Sequence, residues 1–144
     1  MNDAVVLNAL ATHLRAATPP TGETIRFVSA YPVESIPASP AIILFEGSDS
    51  IAYGASNRTT TIQVQAILFL PLVEYARQYA RIATLRAWMR DSLLDGVLLD
   101  GTDGVGQASV VSTTTDTSDY ADAPFVQITA NIEIIGVEAI APTA

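Results

Sequence analysis

The chain has 144 residues, one domain's worth, with seven basic and 15 acidic residues for a net charge of −8. It holds no cysteine and a single histidine, His13. That combination excludes a disulfide scaffold, a thiolate zinc or iron–sulfur site, a cysteine nucleophile and any motif built on paired histidines. With a pI near 4.3, the chain is no general phosphate binder.

All seven basic residues are arginines, and charged residues make up 15% of the chain, against roughly 25% in an average soluble domain. Arginine without lysine fits a GC-rich genome. It also fits a surface largely covered by partners, since interface cores shed charge and favour arginine over lysine.

The first predicted element is a helix over Asp3–Ala17. Asn2 or Asp3 caps its free amides, and Leu7, Leu10, Leu14 and Ala17 share one face. His13 lies at the edge of that stripe as a packing residue, and Pro19-Pro20 ends the helix. A strand is expected near Glu23–Ala30. The three prolines of Tyr31–Pro40 then impose a stiff extended connector. The run Ala41-Ile42-Ile43-Leu44-Phe45 reads as a strand buried on both faces, ending at Glu46.

Gly47–Asn57 is small and polar and reads as a flexible loop. A long strand follows over Arg58–Leu70. Ile62, Val64, Ala66, Leu68 and Leu70 point one way and Thr61, Gln63 and Gln65 the other, until Ile67 and Phe69 turn that second face apolar. One end of this strand is therefore expected to be covered on both sides.

Pro71 opens a predicted helix over Val73–Leu94. Tyr75, Tyr79, Ile82, Ala83, Met89 and Leu93 cluster on one side, with Arg86 and Arg90 near that stripe. Trp88 lies opposite with Arg77 and Arg81.

Asp95–Gln107 reads as a Gly/Asp loop, Ala108–Thr114 as a strand and Thr115–Pro124 as an acidic loop. Phe125–Val137 is a cleanly alternating strand about 40 Å long, twice the ordinary length. The order α-β-β-β-α-β-β predicts a single α+β domain: a mostly antiparallel sheet with the N-terminal and central helices packed on it.

No string in the chain supports catalysis or a cofactor. Asp100-Gly101-Thr102-Asp103-Gly104 lacks the distal glutamate and alternate oxygens of a calcium loop, so it reads as a turn and no metal is expected. Gly101, Gly104 and Gly106 follow a helix and precede a strand, the reverse of a phosphate cradle. The serines form no nucleophile elbow. The run Ala66–Val73, broken by Pro71, is far short of a membrane span, and Met1-Asn2-Asp3 does not open a signal peptide. The expectation is a soluble non-enzyme made in a cytoplasm.

Four arginines within fourteen residues (Arg77, Arg81, Arg86, Arg90) admit two readings. They pair with the chain's own carboxylates, or they form a subunit interface with Trp88 as anchor, tryptophan and arginine being favoured interface residues.

The element order carries a resemblance. The chain places Tyr31-Pro32 after its first strand, then Pro40-Ala41-Ile42-Ile43-Leu44 and the long Arg58-Thr59-Thr60-Thr61-Ile62-Gln63-Val64-Gln65 strand. A tryptophan-bearing helix and a long closing strand follow. In this it resembles the tail terminator and tail-completion (head–tail joining) proteins of long-tailed bacteriophages, over nearly its whole length though without a diagnostic motif.

The resemblance implies a structural virion protein at the head-proximal end of the tail. It implies a homohexameric ring that caps the tail tube, stops its polymerisation and meets the head connector, with DNA as passing cargo and no membrane partner. The acidic residues Asp49, Asp100, Asp103, Asp116, Asp119 and Asp122 are then expected at the lumen or on docking loops, where like charge repels phosphate. The alternatives are another head–tail adaptor or tube-like subunit, or a small α+β ligand-binding domain.

Overall fold

The computed structural model describes residues 3–72, 75–92 and 107–139. It is an α+β fold with two helices and a five-stranded sheet, in the predicted element order. The elements are α1 (Asp3–Ala16), β1 (Phe27–Ser29), β2 (Ala41–Tyr53), β3 (Asn57–Pro71), α2 (Tyr75–Asp91), β4 (Gln107–Tyr120) and β5 (Ala123–Ala139). The spatial strand order is β1-β2-β3-β5-β4, with only the short β1–β2 pair parallel.

Both helices lie on one face of this sheet. Ile42, Leu44, Ile62, Val64, Ala66, Leu68 and Leu70 of β2 and β3 join alternate residues Val126 to Ile134 of β5 in a single buried cluster. Val6, Leu10, Ala11 and Leu14 of α1 and Ile82, Leu85 and Met89 of α2 close over it. Burial of each such side chain is worth about 1.5–3 kcal/mol, which fixes strand register through the period-2 alternation.

Among the described residues, the opposite face carries no helix. Its apolar end, expected from Ile67 and Phe69, is covered by the proline-rich connector. Phe69 stacks edge-on against Tyr120 (5.1 Å) and Phe125 (5.7 Å). The Tyr120 hydroxyl donates to the Val33 carbonyl and accepts from the Val33 amide at 3.2 Å.

Three expectations need correction. The first strand shrinks to three residues. The loops expected at Gly47–Asn57 and Thr115–Pro124 are instead the far ends of two long hairpins, β2–β3 and β4–β5. Ala121 and Asp122, both at positive φ (51° and 65°), make the two-residue turn that closes the second hairpin, as the right-handed strand twist favours.

On α2 the buried stripe is Gln78, Ile82, Leu85 and Met89, spaced 4, 3 and 4, and Tyr79 points to solvent. Burying Gln78 is tolerable because its side-chain amide donates to the Pro71 carbonyl at 3.1 Å. Leu93 and the loop 95–106 lie outside the described residues.

Candidate functional site

The two faces of the sheet differ in chemistry. On the helix-free face, alternation brings forward Thr59, Thr61, Gln63 and Gln65 of β3 and Gln127, Thr129, Asn131 and Glu133 of β5. Ser112, Thr114, Asp116 and Ser118 of β4 join them. Their side chains are tied across the strands. The Gln63 amide donates to Glu133 at 3.0 Å, Gln65 to Asn131 at 3.2 Å, Asn131 to Ser112 at 2.9 Å, and Gln127 to Ser118. Such cross-strand ladders hold short polar groups flat against the sheet.

No arginine occupies this face among the described strand residues; its charges are the carboxylates Glu133 and Asp116. The cations are on the other side. Arg58 pairs with Glu138 at 2.6 Å at the helix-side end of the sheet. Arg81 grips Glu23 through two nitrogens at 2.8 and 2.9 Å, a fork that raises its already high pKa. Arg86 reaches from α2 to β4, donating to the Thr113 hydroxyl (3.0 Å), the Thr113 carbonyl (2.7 Å) and the Thr115 hydroxyl (3.4 Å). Trp88 packs on the core and donates through Nε1 to the Thr18 carbonyl at 2.8 Å.

Three of the five residues expected at a subunit interface, Arg81, Arg86 and Trp88, therefore have their polar atoms engaged within the chain. Arg90 is exposed beside a cleft of about 340 Å³ that Tyr79, Ile82, Ala83, Arg86 and Thr115 also line. The side chain of Arg77 lies outside the described residues.

The expected acidic loop residues also scatter. Asp116 faces the helix-free side. Asp49 and Asp119 are exposed strand residues on the helix side of the sheet, and Asp122 sits in the β4–β5 turn. Asp100 and Asp103 lie outside the described residues. His13, expected as a packing residue, is half-buried with Nε2 3.0 Å from the Ser92 carbonyl, joining the end of α1 to the end of α2.

Sequence reading missed the amide ladder and the Arg86 bracket. The alternation Gln63, Gln65 against Asn131, Glu133 was the available signal for the first. The second had none, because it joins positions nearly thirty residues apart.

Two predictions follow from these contacts. Trp88→Phe keeps most of the packing and removes one hydrogen bond, so it costs about 1 kcal/mol in urea unfolding. Trp88→Ala costs about 3 kcal/mol, the low end for a large aromatic, since the indole is only partly buried. Equal losses for the two variants would contradict this assignment.

The second concerns Glu46. Its carboxyl is pushed above the usual value by a hydrogen bond with Asp3, then by burial, and then by the charges of Asp3 and Asp49. An acid whose folded pKa is raised is penalised when ionised, so stability rises as pH falls through its range. Glu46→Gln is expected to stabilise at pH 7 by about 0.2–0.5 kcal/mol, discounted for exposure. The gain disappears as pH drops into the carboxylate range; thermal melts across pH check both.

In comparisons of the whole sequence, no family model and no curated protein matches the chain.

Proposed function

We propose that the chain is the ring-forming tail terminator of a long-tailed phage. Several copies would close around a channel, cap the tail tube, stop its growth and meet the head connector. The observation that carries this reading is the segregation of charge. One broad face of the sheet is hydroxyl, amide and carboxylate without arginine, whereas the described arginines belong to the helices, the connectors or the helix side of the sheet. A wall of the first kind lets DNA slide past, because its polar groups wet the duplex while its sparse charge repels phosphate. The helix side is left for packing and for contacts outside the channel.

The length of the sheet supports the same reading. A 17-residue strand spans roughly 55 Å, enough to line a channel over about one and a half turns of DNA. The alternative of another head–tail adaptor or tube-like subunit is compatible with the same wall, and the place the protein occupies in the virion separates it from a terminator.

The test adds the purified chain to the phage's tail-tube protein during polymerisation. Binding confined to tube ends, with elongation halted, is the expected result. Decoration along the tube, or growth that continues unchanged, overturns the proposal.

A further inference from the structure

We infer that copies of this chain join by pairing the outer edge of β2 in one copy with the outer edge of β4 in the next, a second copy of the chain being the partner of both edges. The inference deepens the ring reading above and rests on it.

Among the described residues, the sheet leaves two long edges open. β1 covers only Ala41, Ile42 and Ile43 of β2, so the outer edge of β2 from Leu44 to Tyr53 has no neighbour in the sheet. At the other side, β4 is the terminal strand over its full 14 residues. A strand edge with free amides and carbonyls is a template for another chain, and proteins blunt it with charged side chains, proline, brevity or bulges; of these devices the two edges here carry one bulge each and the carboxylates of Glu46, Asp49, Asp116 and Asp119. Neither edge contains a lysine or a proline, and neither is short.

The two edges fit each other in direction and height. β3 is antiparallel to β2, β5 to β3, and β4 to β5, so β4 runs opposite to β2. Copies repeated by rotation about one axis therefore bring β4 beside β2 in antiparallel sense, continuing the pattern across the junction. Traced through the ladders, Gln107 to Thr113 of β4 stand level with β3 residues Thr61 to Ala66, which are those that β2 meets from Leu44 to Ser50. The open stretch of β2 thus lies at the height of the first half of β4. Because the two edges are different surfaces, the contact is heterologous and propagates around a ring.

Two further features point to closure. Each edge strand has one bulge, at Glu46/Asp49 in β2 and Val110/Ser112 in β4, and both fall at the height of Val64 in β3. Bulges bend a strand and raise its twist, and paired at one height they curl the sheet across its width. Large apolar side chains also stand exposed beside both edges: Ile51 (49%) and Tyr53 (71%) on β2, and Val111 (52%) on β4.

The chain has no native cysteine, which makes trapping clean. Ser50→Cys on β2 and Gln107→Cys on β4 both lie on the helix-free face at one height, that of Thr61 in β3. Mixed and oxidised, the two single variants should form S50C–Q107C dimers, and the double variant should give a covalent ladder ending at the ring. S50C–S50C dimers in place of mixed ones would mean a two-fold contact and overturn the inference.

In parallel, Ile51→Lys/Val111→Lys should reduce the oligomer to monomer by native mass spectrometry, with a melting temperature within roughly 2 °C of the parent. A ring of unchanged mass in that variant also overturns the edge pairing. If that ring still ends tubes, the tail-terminator reading survives without it. Edge cross-links in a chain that does not end tubes leave the pairing standing and remove the tail role.

Discussion

Leu85→Ala is expected to destabilise the fold by about 2–5 kcal/mol, which for a chain of this size lowers the melting temperature by about 3–4 °C per kcal/mol. Leu85 is fully buried beside Ile82 and Met89, the buried apolar anchors among the described residues of α2, and Trp88 packs against the same cluster. Alanine and arginine favour the helix itself, but what docks it on the sheet is this buried stripe, since Tyr79, Ala80, Ala83, Thr84 and Arg90 are exposed. Truncating the middle anchor removes contacts on both sides at once, and the cavity cannot collapse because β3 and β5 beneath it are locked by fifteen paired positions. Ala83→Ser, on the exposed side of the same helix, serves as the control and is expected within about 0.5 kcal/mol of the parent. If the two variants melt together in urea, α2 is not held by the stripe described above.

The apolar positions made much of this fold legible. Leu7, Leu10 and Leu14 marked α1 by their spacing, and the alternation Ile62 to Leu70 and Val126 to Ile134 marked the two central strands and the face that each buries, though not their pairing or register. What escaped the reading was strand without an apolar face. Gly47 to Tyr53 and Thr115 to Asp119 carry polar or exposed residues on both faces, so no period-2 apolar pattern survives there. Glycine, serine and aspartate there look like loop. These segments are strands because a partner strand with a strong pattern, β3 or β5, carries each of them. The same blindness hid much of the two open edges, which those segments help to build, whereas the polar residues of β3 and β5 on the helix-free face were legible from the alternation itself.

The two sides of α2 show the complementary limit. Wheel geometry correctly separated Trp88 and Arg81 from Arg86 and Arg90, but it could not say what each side meets. Glu23 and Thr18, which receive Arg81 and Trp88, lie in the α1–β1 connector, and Thr113 and Thr115, which hold Arg86, straddle the expected end of the strand at Thr114. Side-chain direction follows from local periodicity, whereas its partner depends on chain topology.

The second large effect concerns the helix-free wall. Gln65→Arg with Thr114→Arg places two guanidiniums per copy on a face that has none. Both parent residues are exposed, and an arginine at position 65 can still donate to Asn131 as Gln65 does. The fold and the oligomer mass are therefore expected to stay unchanged. DNA behaviour is expected to change sharply. In a ring the added charges point into one channel, and if 6–10 of them reach phosphates, retention of duplex DNA should fall about 10³–10⁵-fold between 50 and 200 mM salt.

The parent should retain no duplex at either salt, because its wall offers phosphate only hydroxyls, amides and carboxylates. Placing the same two charges on the helix side, at Ala80 and Thr84 on the exposed face of α2, gives a variant of equal net charge. If that control retains DNA as strongly, the effect is one of charge alone and the helix-free face does not line the channel. If only the wall variant does so, and phage carrying it assemble full-length tails yet fail to deliver their genomes, the polar face is the surface past which DNA moves.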